Sequence, residues 1–244
     1  MEWVPQSFAI GIRHKKIFTF LSHAGMVTDS ILALQGEGPF PKSILKKIAW
    51  PNPLTVRMHD KAETLVFECS VDGVLLTVDL EELEWTRENA KTAILMAADV
   101  LMLYGGDKAI NRIGMVDNYS FEHGERSAKL AVEALTKFTA LGDPKDLALR
   151  IAFRSPTEEG LLSGGANDWR NTIIQVRTGK EDLDSEEDEP EKVFINLDIQ
   201  TYFEPERKYA KSLVDNHYDW VTRRLAKIQA GELSAFELVE AASR

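Results

Sequence analysis

Apolar and polar residues alternate with a period of two along much of this chain, and between those stretches the spacing changes to three and four. Phe8, Ile10 and Ile12 alternate with small or polar residues and predict a first strand. Ile17 to Phe20 predicts a continuation of that strand or a partner for it, and Met26 to Leu34 predicts a short helix stopped by Gly36-Glu37-Gly38-Pro39. Pro39, Pro41, Pro51 and Pro53 punctuate a segment read as irregular. Leu54-Val56-Met58, Leu65-Phe67-Cys69 and Val74-Leu76-Val78-Leu80 then predict three strands of an antiparallel meander. Asp72-Gly73 is its turn, because glycine accepts the positive φ that a tight hairpin needs.

Thr86 is placed to cap a helix through its hydroxyl, and from Ala90 to Tyr104 apolar residues point in nearly every direction, as in a helix buried on most sides. Gly105-Gly106 ends it. Ile110 to Phe121 predicts a strand, and Glu125 to Leu141 a helix with Ala128, Ala131, Val132, Leu135 and Phe138 on one face. Leu147, Leu149, Ile151 and Phe153 alternate with Ala148, Arg150, Ala152 and Arg154, which predicts a half-buried strand. After a Ser/Gly-rich loop over 155–169, Thr172 to Arg177 and Val193 to Gln200 predict two more. Pro205 is read as the break before a long helix from Arg207 to Gln229, with a stripe of Ala210, Val214, Tyr218, Val221, Leu225 and Ile228. The order predicts an α+β fold: a largely antiparallel sheet with helices packed on one face. We expect a single domain over 1–244, with two sub-domains meeting near 105–145 as the alternative.

Composition changes this picture in one place. The formal net charge is −10, but residues 181–191 alone hold eight carboxylates, which leaves 31 acids against 29 Lys and Arg elsewhere. The acidity is therefore local, an acidic loop over 179–192 between two strands. Such a run stays solvated, or it attracts a basic partner through Glu186, Glu187 and Asp188. No long basic run is present to neutralise phosphates, so direct nucleic-acid binding is not expected. The single cysteine, Cys69, excludes an intrachain disulfide and fits a reducing compartment. No basic-then-apolar leader opens the chain, and Ala93 to Tyr104 is too short to span a bilayer, so the expectation is a cytoplasmic protein with no membrane contact.

The familiar catalytic motifs are missing. There is no phosphate-cradling Gly-x-x-x-x-Gly-Lys-Ser/Thr, no Gly-x-Gly-x-x-Gly and no Gly-x-Ser-x-Gly. No cofactor and no metal are expected. His217 lies beside the apolar stripe of the last helix and reads as a histidine at the edge of the core, with Asp219 and Arg223 a surface pair. The catalytic candidates are Asp117, Glu122 and His123 near a strand end, with Arg112 and Asp198. Two carboxylates and an imidazole are suited to a divalent metal or to acid–base work, and a metal-dependent hydrolase is the class they fit. Arg112 is read first as pairing with Asp198 across the sheet, with bidentate capture of a ligand's anionic group as the alternative. Trp169, in a Gly-rich stretch, is a candidate exposed anchor for a partner.

Arg112-Ile113-Gly114-Met115 resembles the Arg-Ile-Gly-Leu-Arg-Tyr core of a sporadically distributed family of uncharacterised bacterial proteins. Phe194-Ile195-Asn196-Leu197-Asp198-Ile199 resembles that family's Leu-Leu-Asp-Ile-Asp strand, and a long helix follows in both. Val116-Asp117-Asn118 departs from the family's Arg-Tyr-Ile-Asn, so a role for a second arginine is not carried over. The resemblance implies the fold and a bacterial origin, and its scattered distribution implies a mobile or defence-linked setting. The leading expectation is a non-enzymatic protein-binding or adaptor protein whose partner is another protein, basic if it meets the acidic loop. Self-association through helix 90–104 is a further expectation, and the neutralising of a basic toxin or nucleic-acid-binding protein by the acidic loop is an alternative.

Overall fold

The computed structural model describes residues 4–16, 19–40, 42, 44–104, 109–122, 148–157, 167–179 and 192–229. Their core is a nine-stranded sheet in which every neighbouring pair is antiparallel. The strands are β1 (Val4–His14), β2 (Lys47–Asn52), β3 (Thr55–His59), β4 (Leu65–Ser70), β5 (Gly73–Asp79), β6 (Ala109–Glu122), β7 (Ala148–Pro156), β8 (Trp169–Gly179) and β9 (Lys192–Lys208). Their order across the sheet is β2-β3-β4-β5-β1-β6-β9-β8-β7. Three helices, α1 (Phe20–Ala33), α2 (Arg87–Tyr104) and α3 (Lys211–Gln229), pack on one face. This is the α+β arrangement that the alternation predicts.

Period-two patterning decides which side is covered. Phe8, Ile10 and Ile12 of β1, Val74, Leu76 and Val78 of β5, and Ile113 and Met115 of β6 are all buried under the helices. Burying these side chains contributes roughly 1.5–3 kcal/mol each. Helix α2 reaches the sheet through Ala90, Ala93, Ala97 and Ala98, small residues that let its backbone approach β1 and β5 closely. It begins where Thr86 Oγ1 accepts the Asn89 N–H at 3.1 Å, as the cap requires. Helix α3 buries Val214, Tyr218, Val221 and Leu225 of the expected stripe; Ala210 precedes the helix and is exposed, and the Ile228 side chain lies outside the described residues. Leu225 joins a second apolar cluster with Tyr119, Ile174, Val176, Val193, Ile195 and Leu197, under the β8–β9 end of the sheet.

Several boundaries differ from the sequence reading. Phe20 opens α1 rather than closing a strand, and the helix starts six residues before Met26. The proline-rich segment contains β2, an edge strand, where Pro51 leaves no central ladder without a donor. Strand β9 runs through Pro205 to Lys208, and α3 starts at Lys211 rather than Arg207. Arg112 pairs with Tyr202 and Ile110 with Arg207, so a bulge on β9 accommodates Pro205 outside the regular ladder. The expected helix over 125–141 and the acidic loop lie outside the described residues, as do His123, Glu186, Glu187 and Asp188.

Candidate functional site

The sheet divides the candidate residues between its two faces. Asp117 pairs with Leu197 and Val116 with Asp198. Paired residues share a face and successive residues alternate. Asp117 therefore turns under the helices, whereas Arg112 and Asp198 turn to the open face. They do not converge, which corrects the expectation of one catalytic group.

On the helix side, Asp117 is 2% exposed. Arg87 of α2 grips it with two nitrogens, Nε to Oδ1 at 2.8 Å and Nη2 to Oδ2 at 3.1 Å. The Tyr119 hydroxyl donates to Oδ1 at 3.4 Å. The Arg87 guanidinium lies over the rings of Phe8 and Tyr218, 5.3 and 5.6 Å from their centres. Burial lifts the Asp117 carboxyl to about 6 against the opposing pull of Arg87 and Tyr119. This is a buried clamp joining α2, β6 and α3, with its oxygens already engaged. Glu122 closes β6 by its backbone, and its side chain lies outside the description. Among the described residues no three His, Cys, Asp or Glu side chains cluster with metal-binding geometry.

A cavity of about 250 Å³ lies between α3 and the β8–β9 end of the sheet, lined by Asp168, Arg170, Thr201, His217, Trp220 and Arg223 among others. His217 is buried, as its place beside the stripe predicts. Thr201 Oγ1 accepts from Arg170 Nε at 3.3 Å and shares a hydrogen bond with His217 Nδ1 at 2.8 Å. Burial, reinforced by the positive charge of Arg170, pushes the His217 pKa down to about 3. A general base for neutral pH needs a pKa near 7, so this imidazole is a poor one. Asp168, also buried, accepts from Arg207 Nη2 at 2.7 Å and from the Glu204 amide at 3.1 Å. Arg223 Nε donates to the Asp219 carbonyl at 3.2 Å, a backbone contact in place of the expected side-chain pair.

The open face carries a trough of about 560 Å³ over the centre of the sheet. Its floor is short: Gly11 pairs directly with Gly114, and Ala9 with Val116. Gly11 has an internal reason to lack a side chain, since a Cβ there would meet Leu75 Cδ1 at 3.2 Å. Gly114 has none of that kind. A Cβ would meet only Gln200 Cγ at an ordinary 3.5 Å, and the residue is not among those with positive φ. A glycine in a strand interior costs stability, and it commonly marks close approach by a ligand or another backbone.

Around that floor runs a polar network. Arg112 Nη1 donates to Gln200 Oε1 at 3.3 Å and to the Tyr202 hydroxyl at 3.2 Å. Gln200 Nε2 donates to both oxygens of Asp198 at 2.9 Å. The expected Arg112–Asp198 ion pair is therefore replaced by a bridge through Gln200. Beside it, Asn196 Nδ2 donates to Asn118 Oδ1 at 2.7 Å, and Asn118 Nδ2 to Ser7 Oγ at 2.8 Å.

Trp169 is the first residue of β8, not a free loop anchor. Its ring stacks on Tyr202 with centres 3.9 Å apart and planes 5° apart. The Arg154 guanidinium lies 3.7 Å from the centre of the same ring. Sequence reasoning missed Gly114, Gln200, Tyr202 and Arg154. The signal for Arg154 was present in the β7 alternation. Gln200 and Tyr202 required the β6–β9 register.

No helix of the described residues is long and apolar enough to cross a membrane. No family model matches the chain, and no curated protein matches it.

Proposed function

We propose that the chain is a binding or adaptor protein that acts without turning over a substrate and recognises another protein through the open face of its sheet. The observation that carries this reading is Gly114, a central-strand glycine that neither backbone conformation nor packing among the described residues requires. It exposes bare backbone at the floor of a trough bordered by Arg112, Gln200 and Asp198. An extended segment of a partner fits such a floor, since its backbone can come closer there than anywhere a side chain stands. Asp117 and His217, whose protonation burial shifts, support the same reading. Both are buried and engaged in structural contacts.

The two segments that carry the resemblance to the bacterial family lie side by side as β6 and β9 and bring Arg112, Gly114 and Asp198 to this trough. The resemblance is part of the proposal.

Cross-linking of the purified chain in an extract of its source cells, read by mass spectrometry, tests it. We expect a saturable protein partner whose cross-links fall on β1, β6 and β9, and which Gly114→Val does not capture. Equal capture by the wild type and Gly114→Val overturns the reading.

A further inference from the structure

The register of the last four strands gathers arginines that are scattered in sequence. Arg150 pairs with Gln175, Arg154 with Asn171 and Ala148 with Arg177. Asn171, Gln175 and Arg177 pair in turn with Gln200, Asn196 and Phe194. All of these therefore share the open face with Arg112 and Asp198. Arg150, Arg154 and Arg177 are exposed. Among the described residues no carboxylate lies within ion-pair distance of these three or of Arg112. Four arginines thus share this face: Arg150, Arg154 and Arg177 face solvent without an ion-pair partner among the described residues, and Arg112 lines the trough with Asp198, Glu68 and Asp72 and the cavity beside it with Glu204.

Three of the four are held by aromatic rings. Arg154 lies 3.7 Å from the centre of Trp169, Arg177 4.0 Å from Phe194 and Arg112 5.6 Å from Tyr202. Stacking restrains the Arg154 and Arg177 guanidinium planes, and hydrogen bonds to Tyr202 and Gln200 restrain Arg112; N–H edges remain available for bidentate contact with a planar anion. Less side-chain freedom is then lost when the anion arrives.

We infer that the open face of β6, β9, β8 and β7 is a docking surface for an acidic segment of a partner protein, its carboxylates meeting Arg112, Arg150, Arg154 and Arg177. The inference rests on the protein-binding reading and names the chemistry of the partner. An acidic peptide fits better than single-stranded nucleic acid for two reasons. Base recognition of that kind needs an open aromatic face, and Trp169 is covered by Tyr202 on one side and Arg154 on the other. The chain also carries a net charge of −10, which repels a long polyanion from a distance. A short acidic segment senses chiefly the local patch, within a screening length of about 8–10 Å.

Fluorescence anisotropy with a labelled, amidated octaglutamate peptide tests this on the full chain. The variant is Arg150→Gln/Arg154→Gln/Arg177→Gln, and the control removes three exposed lysines near the β2 edge, Lys42→Gln/Lys46→Gln/Lys47→Gln. We expect binding that weakens as salt rises, is roughly tenfold weaker or worse in the arginine variant, and is little changed in the control. A far-UV spectrum matching wild type certifies the fold of the variant. Equal losses in variant and control, or binding by the arginine variant within twofold of wild type, overturns the inference. So does tighter binding of an oligothymidylate of equal length, which marks a nucleic-acid surface. A chain that captures its protein partner but no octaglutamate loses this inference and keeps the protein-binding reading, whereas failure of both assays removes both.

Discussion

Asp117 and Asp198 stand on adjacent, hydrogen-bonded strands one register step apart, yet the sheet lies between their carboxylates. Val116 is the residue that pairs with Asp198, so Asp117 points the other way, into Arg87. The first carboxylate holds the fold together and the second borders its exposed trough. Asp117→Ala should destabilise the protein by about 3–5 kcal/mol, because it leaves the Arg87 charge buried without its partner. Urea unfolding of the two proteins measures this, and a loss below about 1 kcal/mol contradicts the clamp.

His217 sets an acid limit on stability. Its folded pKa, near 3, lies below the ordinary 6.5, so between these values the unfolded chain binds the extra proton. Stability from this group is complete above the unfolded pKa and is lost as pH falls toward 3. The slope approaches about 1.4 kcal/mol per pH unit. The difference in unfolding free energy between wild type and His217→Gln, followed from pH 7 to pH 4, should shrink toward the acid end. A constant difference disproves the buried neutral imidazole.

Two glycines should respond in opposite directions. At Gly73 a Cβ would stand 2.7 Å from the Ile12 carbonyl oxygen, a backbone atom that moves only with its strand. Gly73→Ala should therefore cost more than about 1 kcal/mol. Gly114→Ala meets no obstruction and should be neutral or stabilising, by up to about 1 kcal/mol. Thermal melts of the pair check this. A destabilised Gly114→Ala with an intact partner interaction would show that the residue serves packing instead of recognition.

The lone thiol gives a direct probe of strand opening. Cys69 is fully buried in β4, and burial pushes its pKa up to about 12. The thiolate is the reactive form, so an aromatic disulfide reagent at neutral pH should modify the native protein only as fast as β4 opens. Labelling should be complete at once in denaturant. Immediate labelling of the native chain would mean that β4 is accessible.

Much of the architecture was legible because alternation survives wherever one side of a strand is buried. β1, β3, β4, β5, β7 and β9 all carry it. β2 was not, since an edge strand with few buried residues gives no such signal and Pro51 looks like a breaker. Pro205 misled for a related reason: it lies in a bulge, where a missing N–H leaves no ladder bond unmade. At the site, parity alone separates Asp117 from Arg112, since five residues along a strand reverse the face. The alignment of Arg154 with Asn171, or of Val116 with Asp198, depends on long-range register, which no local pattern encodes.

The position of β1 has a consequence for how the chain assembles. It precedes the other eight described strands in the chain, yet it lies at the middle of the sheet, between β5 and β6. The meander from β2 to β5 can zip by near-neighbour hairpins, whereas β1 must close a loop of about sixty residues to reach β5 and a longer one to reach β6. Among the described strands it is the one that joins the four before it in the sheet to the four after it. A chain deprived of residues 4–14 would be left with two half-sheets, each baring a raw edge to aggregation.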